Sequence, residues 1–471
     1  MAPSRPTRFA AALAAFGAAL GTALTTGASP ANAATPAQLA QAAFNAMTEA
    51  QRIGQLFAVG TSAAGLSSVT AADITTYHVG NLILTGRTTY GAAPVRYLAA
   101  HADQLTTSAA TARVPLFISA DQEGGAVQVL QGSGFSTMPS ALTQGTWSDT
   151  TLTAAAKTWG LQLARAGVDL NLAPVMDTVP SSLGSRNIPI GSYQREFGYT
   201  ATVVAGKGGA FARGMRSSGV AITAKHFPGL GHVTANTDTT AGVTDTVTTS
   251  ASSDLVPFKA AVTAGAQVVM VSLATYTKID AGRPAAFSPT VITSLLRGSQ
   301  GFTGVVMSDD LGNARQVAAW APGTRAVNFI SAGGDIVLTV NATLIPAMVN
   351  AVTARVASDA TFRAKVNAAA YRVLLAKATD GLLATRLATD GSLGPLTLSA
   401  LQRWLGVSVT GTFNSTTIGA LQARVGTTVD GGWGPNSMAA MQSYLALTRD
   451  GARTWNARTV SALQAYLNTQ L

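Results

Sequence analysis

Four places in this sequence put ionisable side chains directly after short apolar runs: Asp121-Gln122-Glu123, Asp177, Lys225-His226 and Ser308-Asp309-Asp310. A carboxylate accepts hydrogen bonds from neighbouring hydroxyls, and cationic side chains donate to oxygens. A carboxyl group can also attack as a nucleophile or hand over a proton. Helix N-caps, which favour aspartate as well, would explain one or two of these places but hardly all four. The four histidines, His78, His101, His226 and His232, have no metal-ligand spacing, and the chain has no cysteine. Neither a metal nor an organic cofactor is expected.

For these residues to act together, the elements that carry them must end on one rim. Buried-strand candidates recur at residues 55–59, 79–85, 115–120, 168–175, 220–225, 267–273, 304–308 and 335–340, separated by Ala-rich helical stretches. A helix over residues 48–57 precedes them, although its end could equally open the first strand. The runs carry Val, Ile or Leu at their centres without clean alternation, the pattern of strands covered on both faces of a parallel sheet. Eight strands alternating with helices predict an α/β fold, a (β/α)₈ TIM-type barrel. A doubly wound open sheet would give a similar string. The barrel is preferred because the polar residues sit at strand exits, which converge on one rim only in a barrel. A last helix over residues 362–377 closes the pattern.

The remainder of the chain organises itself around that unit. At 471 residues, 47% apolar and 11% charged, the chain has ample core for two or three domains and is no candidate for global disorder. Arg5 and Arg8 precede an uncharged run over residues 9–24, followed by Ala31-Asn32-Ala33, a small-x-small cleavage site. Residues 1–33 therefore read as a signal peptide, and the mature protein is expected to be secreted, extracellular or wall-associated, with no membrane attachment. The net charge of +10 comes without a basic run. For an exported protein it fits an anionic wall better than nucleic acid.

Beyond residue 395, Gln402, Gln422, Gln442 and Gln464 are spaced by 20, 20 and 22 residues, each with apolar neighbours four before, one before and three after. That spacing lines one helical face and predicts four short helices sharing a core. Thr397, Thr417, Ser437 and Thr459, five before each Gln, are the expected N-cap region. The predicted domains are thus 1–33 signal, 34–382 barrel, 383–395 linker and 396–471 all-α repeat. Trp404, Trp433 and Trp455 are expected mostly in its core.

The motifs carry a family resemblance. Ala224-Lys225-His226-Phe227-Pro228-Gly229-Leu230-Gly231 resembles the K-H-F-P-G-x-G signature of glycoside hydrolase family 3, in its β-N-acetylhexosaminidase branch. Asp121-Gln122-Glu123-Gly124-Gly125 resembles that branch's D-x-E-G-G, and Asn187-Ile188-Pro189-Ile190-Gly191 with Arg195-Glu196-Phe197-Gly198 resembles its N-P-x-I-G…R-x-F-G. Ser308-Asp309-Asp310-Leu311 resembles the S-D-D-L that holds its nucleophile. The resemblance covers residues 46–380 and implies a retaining hydrolase that cleaves terminal N-acetylglucosaminides of peptidoglycan, its fragments or chitin-like oligosaccharides. It implies Asp309 as nucleophile, a choice that strand parity cannot make over Asp310. It implies Asp121, Arg195, Lys225 and His226 as the residues that hold the sugar.

Two departures stand out. Where the family has a D-S-H triplet with its acid/base pair, this chain reads Asn236-Thr237-Asp238. A carboxylic acid can make the same proton transfer if its pKa is raised, so Asp238 is the expected acid/base, with His232 as competitor and a mobile polar loop as the alternative. Arginines common after D-x-E-G-G are replaced by Ala126 and Val129, which keeps a β-glucosidase open as a second reading. A catalytically silent wall-binding protein is the third. The C-terminal Gln repeats look like peptidoglycan-binding modules and imply wall attachment, in keeping with six arginines and three aspartates from Leu383 onward.

Overall fold

Eight short parallel strands alternate with helices: β1 (Phe57–Ser62), β2 (Asn81–Thr85), β3 (Phe117–Ala120), β4 (Leu170–Asn171), β5 (Ala221–Phe227), β6 (Val268–Val271), β7 (Val305–Ser308) and β8 (Val337–Thr339). The computed structural model describes residues 34–383, 387 and 389–470, so the expected signal peptide lies outside the described residues. The spatial order is β7-β6-β5-β4-β3-β2-β1-β8, each strand beside its sequence neighbour, which rules out the doubly wound alternative. The ring closes between β7 and β8: Ser308 N–H donates to Ile336 O at 2.9 Å, and Ile336 N–H to Val306 O at 3.0 Å.

Both faces of each strand are covered, which is why the sequence shows no alternation. Ala58, Ile83, Phe117, Leu170, Ala221, Val268, Met270, Val305, Met307 and Leu338 form one cluster with Val373 and Ala376 of the helix Ala360–Thr379. Most other apolar strand residues, among them Val59, Leu82, Ile118, Ile222, Val269 and Val306, pack outward with the surrounding helices. The predicted opening helix is shorter than expected, Glu49–Gly54, and Phe57 opens β1 instead.

The helix Ala360–Thr379 also shuts the end of the barrel where the strands begin. Buried Lys377 donates three Nζ hydrogen bonds of 2.8 Å, to Gln55 Oε1, Gly80 O and Pro115 O, all just ahead of β1, β2 and β3. Burial pushes its pKa down to about 7, against the pull of Asp103 and Asp169. Three acceptors for three ammonium protons keep the group satisfied there.

The helical C-terminal region has four helices, Pro395–Leu405, Ser415–Val425, Pro435–Tyr444 and Ala457–Gln470. The predicted N-caps are corrected: Gly394, Asn414 and Gly434 stand at the cap position of the first three, and Asn456 caps Thr459 N in the fourth. The Ser/Thr residues lie inside the first turn, where their hydroxyls have another task. Gln402 Nε2 donates to Thr417 Oγ1, Gln422 to Ser437 Oγ, Gln442 to Thr459 Oγ1 and Gln464 to Thr397 Oγ1, all at 2.9–3.0 Å.

The last of these bonds closes a ring, because Gln464 also holds Asp390 Oδ1, Ser392 O and Gly391 N. Much of the segment expected as linker, 383–395, therefore serves as the first turn of that ring, and Leu387 is buried in its core. Trp433 and Trp455 stack at 4.9 Å with Phe413 edge-on to both, and Trp404 packs against Tyr444 and Tyr466. The tryptophans are thus packing residues, as expected.

Candidate active site

At the C-terminal rim of the barrel, side chains from β3, β4, β5 and β7 meet. Asp121 and Glu123 leave β3 two residues apart, and Lys225 ends β5 almost fully buried, its side chain 2% exposed. Lys225 Nζ lies 2.5 Å from Asp121 Oδ1 and 2.6 Å from Glu123 Oε1. Glu123 also takes Arg195 in a two-pronged pair, Nε to Oε2 and Nη2 to Oε1, both 2.8 Å, while Arg195 Nη1 donates to Pro189 O. Burial opposes the charges of Glu123, Arg195 and Lys225. It is overcome: Glu123 is lowered to about 2 by Arg195 and Lys225, and Lys225 is held above the ordinary lysine range by Asp121 and Glu123.

His226 is oriented from behind. Its Nδ1 lies 2.7 Å from Asp177 Oδ2, and its backbone N–H and that of Leu230 donate to Asp177 Oδ1 at 3.2 and 2.8 Å. A carboxylate only accepts, so Nδ1 carries the proton and Nε2 is left to face Arg195 Nη2 at 3.5 Å. Asn187 ties the surrounding loops together, donating to Leu230 O, Gly231 O and Val233 O and accepting from Ile190 N and Gly191 N.

The two adjacent aspartates after β7 have different surroundings. Asp310 spends its carboxylate on backbone N–H groups: Gly312 at 2.8 Å, Val340 at 3.2 Å and Asn313 at 3.2 Å. It holds the loop after β7 against the exit of β8. Asp309 receives one such bond, from Asp310 N at 2.8 Å, and its own N–H is anchored on Val271 O. Burial and the Asp238 carboxyl push its pKa up, while His226 and Lys225 pull it down. Asp309 thus shares one electrostatic environment with Lys225, His226 and Asp238.

Asp238 sits on the loop after β5. That loop is tied to the segment after β7: Asp238 O accepts from Arg315 N, Thr237 O accepts from Gln316 N, and the Gln316 amide clasps both backbone groups of Val243. Asp238 is open to solvent on one side; crowding on the other and the Asp310 charge raise its pKa, against His226 and Arg195. His232 faces elsewhere. Its Nε2 is 3.3 Å from Asp254 Oδ2, and the charges that act on it are Asp254 and Asp245.

All six predicted residues are therefore brought together at one rim, within electrostatic reach of one another. Arg195 has most of its donors committed to Glu123 and Pro189, and Lys225 has one Nζ proton left after Asp121 and Glu123. Asp121, with its side chain 27% exposed, is the open acceptor of the set. Sequence reasoning quoted Glu123 and Asp177 but gave neither a role. Parity carried the signal for Glu123: two residues after Asp121 in extended chain, it points the same way.

The comparisons with known proteins agree with this geometry. A model described as the glycosyl hydrolase family 3 N terminal domain matches residues 48–376. The chain belongs to glycosyl hydrolase family 3. This family 3 protein is a glycoside hydrolase. It is 36% identical over 288 residues to a beta-hexosaminidase of Stenotrophomonas maltophilia (strain K279a), a match covering 59% of this chain and 83% of that one. Its fold is similar to the crystal structure of a beta-N-acetylhexosaminidase from Beutenbergia cavernae DSM 12333, with a TM-score of 0.70 and 50% identity over 70% of this chain and 98% of the other. A family 3 beta-N-acetylglucosaminidase from Paenibacillus sp. str. FPU-7 is similar at 30% identity and a TM-score of 0.64, over 71% of this chain and 63% of that one.

Where the family 3 motif lacks its arginines, Val129 is buried in the core, and Arg87, just after β2, reaches the Ala126 carbonyl from another loop. The Glu123 knot gives a direct prediction. Glu123→Gln leaves two buried cations short of one counter-charge, and should lower unfolding stability at pH 7 by about 3 kcal/mol. The folded pKa of Glu123 is depressed, so its contribution is present above pH 4.5 and fades as pH falls towards about 2. Urea melts at pH 7 and pH 3 should show the gap between wild type and variant narrowing at the lower pH. A gap that is constant or widens would contradict the assignment.

Proposed function

We propose that this enzyme is a secreted, retaining β-N-acetylhexosaminidase that removes terminal N-acetylglucosamine from peptidoglycan, its fragments or chitin-like oligosaccharides. The observation that carries the reading is the shared seat of Asp309 with Lys225, His226 and Asp238 at the C-terminal rim, where Lys225 is paired with Asp121. In this reading Asp309 attacks the anomeric carbon as a carboxylate while the bond to the leaving oxygen breaks. Asp238 gives that oxygen its proton. The resulting glycosyl ester is then attacked by water, whose proton returns to Asp238, and Asp309 is released as a carboxylate. Asp121 accepts from ring hydroxyls, the remaining donors of Lys225 and Arg195 reach sugar oxygens, and the unprotonated Nε2 of His226 accepts from a hydroxyl.

The names carried by the relatives support the hexosaminide over the glucoside. The rebuilt surroundings of Ala126 and Val129 keep the glucoside as the second reading. Nitrophenol release decides between them: kcat/KM on the N-acetylglucosaminide should exceed that on the glucoside by about a hundredfold or more. Turnover of the glucoside alone would overturn the reading. Export is supported by the order of charged, apolar and small residues before Ala34, and wall attachment by the basic balance of the helical region. N-terminal sequencing of protein from the medium, and pelleting of the full chain with isolated walls, test these two parts.

A further inference from the structure

The helix Ala92–Asp103, between β2 and β3, presents aromatic and basic side chains to solvent. Its inward residues Val95, Leu98, Ala99 and Ala102 are buried, while Arg96, Tyr97 and His101 lie on the opposite face. Tyr97 is 76% exposed, with its ring centroid 6.3 Å from that of His101. The outward positions 93, 96, 97, 100 and 101 carry no carboxylate. A single exposed aromatic is ordinary. One beside a cation and an imidazole, on a face without acid, suits a flat ligand rich in oxygen.

That face adjoins the helical region. A Cβ on Gly167, just past the helix Asp149–Arg165, would come within 2.8 Å of Ala99 Cβ. At the same helix end Arg165 donates Nε to Gly406 O at 3.3 Å, two residues after Trp404. The two elements therefore rest on one support. On the helical region, exposed Arg424 covers Trp404, its Cζ 4.8 Å from the ring centroid. Tyr444 and Tyr466 flank the same indole, their hydroxyls 3.0 Å apart. Trp404 Nε1 is buried with no hydrogen-bond partner among the described residues. Burial and Tyr444 raise the Tyr466 pKa, and Arg424 and Arg96 oppose them, so the cation of the barrel helix lies within electrostatic reach of that ring.

We propose that the helix Ala92–Asp103 and the helical region form one shared binding face for a polysaccharide strand that bears carboxylates. Tyrosine rings offer apolar planes to the C–H faces of sugars and hydroxyls to their oxygens. Arg96 and Arg424 supply charge for the carboxylates, and a guanidinium laid on an indole keeps its N–H edge for such acceptors. Charge complementarity selects the occupant, since the face joins two cations to aromatic rings. The inference rests on the proposed wall attachment and deepens it: the grip extends from the repeats onto the catalytic barrel.

The test uses the full chain and isolated walls stripped of phosphate polymers by acid, so that carboxylates are the anions that remain. Arg96→Glu, Tyr97→Ala and Arg424→Glu are each expected to raise the Kd for these walls about fivefold or more. All three residues are exposed, so each variant should melt with the wild type. Lys259→Glu makes the same charge reversal on the helix Val256–Thr263, after β5, and should change the Kd by less than about twofold.

Unaltered binding by Arg96→Glu and Tyr97→Ala, with Arg424→Glu weakened, would confine the grip to the helical region and overturn the inference alone. So would an equal loss in Lys259→Glu, the mark of diffuse attraction between a basic protein and an anionic wall. Pelleting with untreated walls but not with stripped ones would do the same, by assigning the binding to phosphate. A full chain that pellets with neither would remove the wall attachment, and the inference with it.

Discussion

Asp309→Asn is expected to lower kcat on a nitrophenyl N-acetylglucosaminide by on the order of 10⁴-fold, with KM nearly unchanged. The amide cannot form the glycosyl ester, yet it keeps the oxygen that accepts from Asp310 N, so the loop after β7 should hold its shape. Asp310→Asn is the informative companion. Its carboxylate is spent on Gly312, Asn313 and Val340, so the substitution should loosen the loop and cost stability, with a far smaller loss of rate. Single-turnover kinetics with a fluorinated sugar, trapping the ester on one residue and locating it by peptide mass, checks the assignment. A label on Asp310, or full turnover by Asp309→Asn, would sink it.

Asp238→Ala should remove the acid/base. The loss in kcat/KM is expected to be about 10²–10⁴-fold on substrates with poor leaving groups and much smaller on an activated nitrophenyl glycoside, where no proton need be given. Azide, which attacks the glycosyl ester without a base, should restore much of the second step. The pH profile supplies an independent readout. Asp309 must be charged, so the rate falls as pH drops through its raised pKa; Asp238 must be protonated, so the rate falls again as pH climbs past its own. In Asp238→Ala the alkaline limb should vanish and the acid limb remain. His232→Ala, acting on a group paired with Asp254, should leave both limbs in place.

Much of the barrel could be read from the chain because its strands are buried on both faces, and eight short apolar runs ending in charge leave few other folds. The observed strands fall within or beside the predicted runs; β4 is regular only over Leu170–Asn171, since Pro174 has no N–H to give a ladder, although the chain stays beside β5, with Thr223 N donating to Ala173 O and Met176 N to Lys225 O. The neighbouring aspartates were separable only in three dimensions, since local sequence does not say which carboxylate will meet the N–H of Val340, thirty residues on. Glu123 and Asp177 went without roles for a related reason. Each acts through a cation or imidazole from a distant strand, and that partnership exists only after the barrel closes.

The helical region shows the opposite case. Its period was plain in the sequence, but the purpose of the recurring Ser and Thr was misread as capping, because a hydroxyl in a first turn can serve its own helix or a neighbour's glutamine. The placing of Arg403, in the helix Pro395–Leu405, beside the charges of Asp380 and Asp169 could not be read either, since those aspartates belong to other segments altogether.

The glutamine ring has a consequence for how that region can be altered. A closed circuit has neither a first nor a last member, and Gln464 grasps Asp390, Ser392 and Thr397 as firmly as Gln422 grasps Asp430, Gly432 and Ser437. Cutting the chain at another junction and joining the old ends would preserve every one of these grips, so circular permutation is compatible with the architecture. Excising one quarter is not: it would strand the partners of its own glutamine and leave the glutamine of the quarter before it without the hydroxyl it holds.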